Sequence, residues 1–263
     1  MKMNPDSRYE MPLGFGPSSF PDVSHYEQAR FATIPFTTER AALAPLVPDV
    51  FELPEQPLVS VTTMNLKGVD WMAGRAYNIV NVTVGVTYRR GNESERGQYT
   101  VAVWETDTNA IVAGREFLGI PKLFGEIPDL ARTDDGSSFT CREYDGLLVT
   151  GRVRALRPVE GERLERLREM LKSTVNFGWK YVPCINGPSD ADYPVRHIQE
   201  SDLIAAWTGR GEVVWGEPTQ TEAPISARIV QTLRKLPVLG YAPALMGEAR
   251  SRLLRSQTRR LPA

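Results

Sequence analysis

The sequence predicts a β-rich α+β protein, a barrel or strongly curved sheet with a few peripheral helices. Three observations carry that reading. Runs of β-branched, partly alternating residues recur, as in 58–65 (LVSVTTMN) and 77–90 (YNIVNVTVGVTYRR). Such runs suit a pleated, half-buried surface. Turn sequences punctuate them, Gly91-Asn92 and Tyr144-Asp145-Gly146 among them, and these favour hairpins. The longest helical pattern is a single stretch, 160–173 (EGERLERLREMLKS). At 263 residues and 41% hydrophobic content, one large β-rich domain can bury its own core.

Taken in order, residues 1–24 are rich in Pro, Gly and Ser and read as an extended arm, leaving 25–263 as a single domain. Thr37-Thr38 before Glu39-Arg40-Ala41-Ala42-Leu43 is a hydroxyl cap followed by strong helix formers, a helix start that Pro48 ends. Strands follow at 58–65 and 77–90, a polar hairpin tip at Arg89–Gln98, then strand again over 99–106 and 110–113. Phe139–Arg157 holds two strands broken at Tyr144-Asp145-Gly146. In 160–173, Leu164, Leu167 and Leu171 share one face with charge on the others, the pattern of an amphipathic helix on a core. Pro194–Trp215 reads as strand, turn, strand; 226–235 as a short helix; and 242–256 (APALMGEARSRLLRS) as a terminal helix.

Composition excludes several functions. A net charge of -1 gives no electrostatic case for nucleic acid or an anionic membrane. No apolar run approaches the ~20 residues that span a bilayer, and the first twenty residues hold no apolar leader core. A cytoplasmic protein with Cys141 and Cys184 as reduced thiols is the expectation. Metal-ligand spacing and phosphate-binding glycine loops are absent, so neither a metal nor a cofactor is expected. The two histidines, His25 and His197, come without a Gly-x-Ser-x-Gly elbow, which argues against a Ser-His-Asp hydrolase.

What remains is amine chemistry. The chain has only six lysines, and Lys122 lies in Gly114-Arg115-Glu116-Phe117-Leu118-Gly119-Ile120-Pro121-Lys122-Leu123-Phe124-Gly125. Its neighbours are apolar and a proline fixes the turn. One reading is a stem covering apolar surface with its head in water. The other is a lysine held from water, which loses affinity for its proton and becomes a nucleophile toward carbonyl compounds. The protonated imine so formed is an electron sink. It supports loss of CO2, addition to an aldehyde, or elimination of water.

Gly114-Arg115-Glu116 followed by Pro121-Lys122 resembles the active-site stretch of the acetoacetate decarboxylase superfamily. Further stretches resemble it in the same order: Thr37–Pro48, Pro57-Leu58-Val59, Asn176–Pro183 with its embedded Lys180, Ala206-Trp207-Thr208-Gly209 and Leu236-Pro237-Val238. The resemblance implies a closed, cone-shaped β-barrel of two related halves with an internal cavity. It also implies a homo-oligomer and Lys122 as the imine-forming residue. Glu116 and Arg115 belong to the motif, with a role in positioning the turn.

The chain departs from that pattern in its pocket. The family places a second lysine directly after the nucleophile, whose charge activates it; Leu123 stands here. Where the family has Arg-Glu-Tyr-Phe, this chain has Ala29-Arg30-Phe31-Ala32. Thr62 falls on one pocket glutamate, and the loop 73–77, with Arg75 and Tyr77, carries no acid for the other. A carboxylate facing Thr62 and Arg75, Arg30 or Tyr77 would be held rather than repelled. The expected function is therefore a Schiff-base lyase acting through Lys122 on a small 2-oxo acid, by aldolase-dehydratase or hydratase chemistry. The alternatives are a true β-keto acid decarboxylase and a barrel that binds a small molecule without catalysis.

Overall fold

The computed structural model describes residues 3–263 except Asp134. In chain order the elements are β1 (Val23–Thr37), α1 (Arg40–Leu43), β2 (Phe51–Glu52), β3 (Leu58–Val69), β4 (Arg75–Arg90) and β5 (Glu93–Glu105). Next come α2 (Thr108–Leu118), β6 (Lys122–Phe124), β7 (Ala131–Thr133), β8 (Gly136–Glu143), β9 (Gly146–Pro158) and α3 (Gly161–Leu171). The chain closes with β10 (Thr174–Val182), β11 (Ala191–Trp215), α4 (Ala227–Leu233), β12 (Gly240–Tyr241) and β13 (Ala244–Arg260).

All the strands join one 13-stranded sheet whose main path runs β10-β5-β4-β3-β1-β13-β11-β9-β8-β7. β10 also pairs with β11, Asn176 opposite His197. The pairing therefore returns on itself through β10, β5, β4, β3, β1, β13 and β11. A ring of this kind removes the unpaired edges that an open sheet leaves exposed. β11, 25 residues long, serves two parts of the molecule. Its start (Ala191–Gln199) pairs with β10 and its end (Trp207–Trp215) with β9, while β13 pairs with the stretch Val195–Gly209.

The alternation of the long strands divides the interior. On β1, Ala32, Ile34 and Phe36 point into the main core, which they share with Val59, Val82, Trp104 and Phe177. The opposite face of the same strands meets a separate cluster around Tyr26, Leu66, Tyr77, Ile79 and Val103. α3 covers a third patch, where Leu164, Leu167 and Leu171 pack on Leu203, Ala206 and Ala249. In the arm, Phe20 is buried against Trp71 and Phe117.

Several expectations change. Residues 110–113 lie in α2 rather than a strand: Asp107 accepts from the backbone N–H groups of Asn109 (2.9 Å) and Ala110 (3.1 Å), and this cap outweighs the β-branched pair Ile111-Val112. The helix expected over 37–48 shrinks to α1 and a 3-10 turn, Ala44–Leu46, because Thr37 is held in β1 and neither threonine caps. Pro194–Trp215 is one bulged strand with no turn. The terminal segment is β13, not a helix: its Ala, Leu and Arg suit a helix, but β1 and β11 pair with it on both sides. The period-two signal was present, with Gly247, Ala249 and Ser251 buried and Arg250 and Arg252 exposed.

Candidate active site

Lys122 begins β6, which runs parallel to β5 with Lys122 opposite Val103. Because alternate side chains of a strand share a face, Val103 and Glu105 point the same way as Lys122, while Trp104 points into the main core. The Lys122 stem is threaded against α2. A Cβ on Gly114 would lie 2.3 Å from Lys122 Cδ and Cε, so only glycine leaves room. The helix ends at Gly119, whose φ of 64° is the left-handed conformation of a C-cap. Arg115 donates to the Lys122 carbonyl at 3.1 Å. Lys180 donates to the Glu116 carbonyl at the last turn of α2. The motif is thus a clamp that sets the amine's position.

Lys122 is 8% exposed. Its Nζ lies 2.9 Å from Glu105 Oε1 and donates to the Ala110 carbonyl at 3.1 Å. Glu105 is 1% exposed, and its second oxygen, Oε2, has no partner among the described residues. Burial raises the Glu105 pKa, and the adjacent Lys122 charge opposes that rise. The lysine is therefore not alone among apolar groups, as its sequence flank implies; it is paired with a carboxyl group that burial inclines to accept its proton. Transfer of that proton leaves a neutral amine beside a neutral acid. The first can add to a carbonyl carbon, and the second can protonate a departing oxygen.

The pair opens on a small cavity of about 80 Å³, lined also by Tyr26, Tyr77, Asn81, Asn176, His197 and Gln199. The Tyr77 hydroxyl donates to that of Tyr26 at 3.3 Å. Burial pushes the Tyr26 pKa up to about 12 and raises that of Tyr77, so both remain neutral donors. Burial, with the charges of Lys122 and Arg196, lowers the His197 pKa to about 3, so its ring is neutral at ordinary pH. An engineered cavity of about 150 Å³ takes benzene; this one suits a smaller organic molecule.

Of the residues expected from sequence, Lys122 and Tyr77 line the cavity. Thr62 is on the same face of β3 as the lining residue Met64, but its hydroxyl donates to Thr33 at 3.0 Å. Arg30 lies in a different groove and pairs with Glu248 at 3.0 Å. Arg75 borders an outer pocket beside the arm and donates to the Met72 carbonyl at 3.2 Å. Glu116 contributes its backbone carbonyl to the clamp. Neither arginine lines this cavity: Arg30 sits in another groove paired with Glu248, and Arg75, at the very start of β4, is exposed beside the arm. Sequence reasoning missed Glu105, Asn81 and His197. Glu105 could have been noticed as the acid ending the Val101, Val103, Glu105 face, and Asn81 as an amide following Tyr77 and Ile79 on one face. His197 left no local signal.

The acetoacetate decarboxylase pattern matches residues 10–257. The chain belongs to the acetoacetate decarboxylase family. Within that family it is 26% identical to the acetoacetate decarboxylase of Chromobacterium violaceum over 210 residues, 78% of this chain and 79% of that one. A solved acetoacetate decarboxylase structure superposes with a TM-score of 0.79 at 18% identity, covering 97% of this chain and 95% of the other. The enduracididine biosynthesis enzyme MppR, complexed with the condensation product of pyruvate and imidazole 4-carboxaldehyde, superposes with a TM-score of 0.71 at 13% identity, covering 98% and 97%. These structural likenesses establish a shared fold.

Gly114→Ala pushes the lysine stem off α2 and the amine away from Glu105. Adduct formation at Lys122 should drop at least tenfold while the protein stays folded, since a misplacement of about 1 Å can cost a hundredfold. Mass spectrometry after borohydride trapping, with a circular dichroism melt, checks both. His197 carries a folded pKa of about 3 against an ordinary 6.5. Between those values the unfolded chain binds a proton that the native protein refuses, so stability falls as pH drops, by about 1.4 kcal/mol per pH unit. His197→Gln should flatten this acid limb in urea midpoints measured from pH 7 to pH 4; an unchanged slope would assign the limb to other groups.

Proposed function

We propose that this protein is a Schiff-base lyase in which Lys122 condenses with a small 2-oxo acid and Glu105 moves the protons. The observation that carries the reading is the 2.9 Å contact between Lys122 Nζ and a fully buried Glu105 at the wall of a small cavity. The neutral amine adds to the substrate carbonyl, and Glu105 returns the proton to the oxygen that departs as water. The resulting carboxylate then faces a protonated imine and can take a proton from the adjacent carbon, giving the enamine. That step is needed for aldol and dehydration chemistry and not for loss of CO2. The neutral donors Tyr26, Asn81, Asn176 and Gln199 offer the substrate carboxylate hydrogen bonds in place of Arg30 and Arg75.

A specific feature favours the second reading, a β-keto acid decarboxylase. Lys122 is the one cationic side chain among the described lining residues, and Glu105 the one acidic side chain. An ionised Glu105 repels a substrate carboxylate, and that repulsion is relieved as CO2 leaves. One experiment separates the two. Incubated in D2O with pyruvate, the lyase exchanges the methyl protons and gives a borohydride-stable adduct on Lys122. Incubated with acetoacetate, the decarboxylase releases CO2 near an ordinary turnover of ~10 per second. Rapid CO2 release without pyruvate exchange would replace the first reading by the second; neither activity, with no adduct, would leave a binding barrel.

A further inference from the structure

Three cavity-lining side chains hold polar atoms with no hydrogen-bond partner among the described residues: Glu105 Oε2, Asn81 Oδ1 and His197 Nδ1. Buried polar atoms almost always have partners, so a cluster of exceptions around one cavity needs a reason. Each of the three groups can accept a hydrogen bond. An ionised carboxylate accepts only. A neutral imidazole presents one acceptor nitrogen in either tautomer, and an amide presents one acceptor oxygen in either orientation. Strand register gathers them. Ile79 is opposite Glu105 and Asn81 opposite Val103, which sets Asn81 diagonally from Glu105 on the shared face. His197, opposite Asn176, faces them from β11.

A simple keto acid does not answer this arrangement. Pyruvate and acetoacetate at neutral pH offer oxygen acceptors and no donor, so they could satisfy Lys122 and the amide N–H groups but would leave the Asn81 oxygen and the acceptor nitrogen of His197 unpaired. A hydroxyl answers it, because it donates to one group and accepts from another. Building on the Schiff-base reading, we propose that Asn81 and His197 form a hydroxyl-binding subsite beside Lys122, and that the substrate is a small carbonyl acid bearing a hydroxyl close to its carbonyl carbon. The confined cavity keeps the hydroxyl near the imine. A site built around a substrate hydroxyl discriminates strongly against the analogue lacking it, since the buried groups are then left unpaired.

The test compares hydroxypyruvate with pyruvate, each trapped by borohydride and quantified as a mass increase on the Lys122 peptide over a range of concentrations. A hydroxyl also makes a carbonyl more electrophilic, so the informative quantity is the ratio of the two apparent affinities across variants. In Asn81→Leu, and separately in His197→Phe, the preference for hydroxypyruvate should fall at least tenfold from the wild-type ratio, with thermal melts confirming that each variant folds. The wild type supplies a second measurement that needs no variant: hydroxypyruvate should bind at least tenfold more tightly than fluoropyruvate, which is electron-poor but has no donor. An unchanged ratio in the folded variants, or equal affinity for hydroxypyruvate and fluoropyruvate, overturns the subsite while leaving the imine chemistry standing. No adduct on Lys122 with any of the three compounds overturns the Schiff-base reading and the subsite with it.

Discussion

Lys122→Ala should abolish adduct formation and turnover while the chain remains folded. Among the described residues lining the cavity, Lys122 holds the one lysine nitrogen and is the one group that can form an imine. Removing one partner of a buried ion pair commonly costs about 3–5 kcal/mol, because the other charge is left uncompensated. Here the loss should be smaller, since burial already favours the neutral form of Glu105 and a protonated carboxyl needs no counter-charge. Lys122→Arg should fail as completely, because guanidinium stays protonated and its planar head is too broad for the slot beside Gly114. Trapping with pyruvate, then mass spectrometry of the digested peptide, reads both variants. Wild-type adduct yield in either would remove Lys122 from the chemistry.

Glu105→Gln should lower turnover by about 10²–10⁴, the range typical of a positioned acid-base group. The replacement keeps size and shape, and an amide oxygen can still accept from Lys122 Nζ, so stability should change little. What is lost is the capacity to take a proton from the amine and return it to the departing oxygen. A merely structural Glu105 would predict a change in melting temperature with turnover preserved. A catalytic one predicts the reverse. Methyl-proton exchange of pyruvate in D2O is the more selective readout, because enamine formation depends on the base even when some imine still forms. Exchange within threefold of wild type would assign proton transfer to another group.

Much of this was legible in the chain. The β-rich class, the strands β3, β4, β8 and β9, the hairpin at Gly91-Asn92 and the helix α3 all follow from local periodicity and turn chemistry. Lys122 stands out through the rarity of lysine, its apolar flank and the glycines and proline around it, each of which has a local steric meaning. Where the reading failed, the deciding forces were not local. β13 has the composition of a helix and became a strand because two neighbours offered backbone pairing along its length. Arg30 and Arg75 looked suited to a carboxylate, yet which face of a strand or loop looks into a cavity depends on register and on closure of the ring. Glu105 became the partner of Lys122 because β6 docks parallel to β5, a pairing between segments separated by the whole of α2. The sequence by itself therefore determined most of the elements and singled out one lysine; only the tertiary structure decided what surrounds that lysine, because the charge, burial and unpartnered atoms around it come from strands brought together by ring closure.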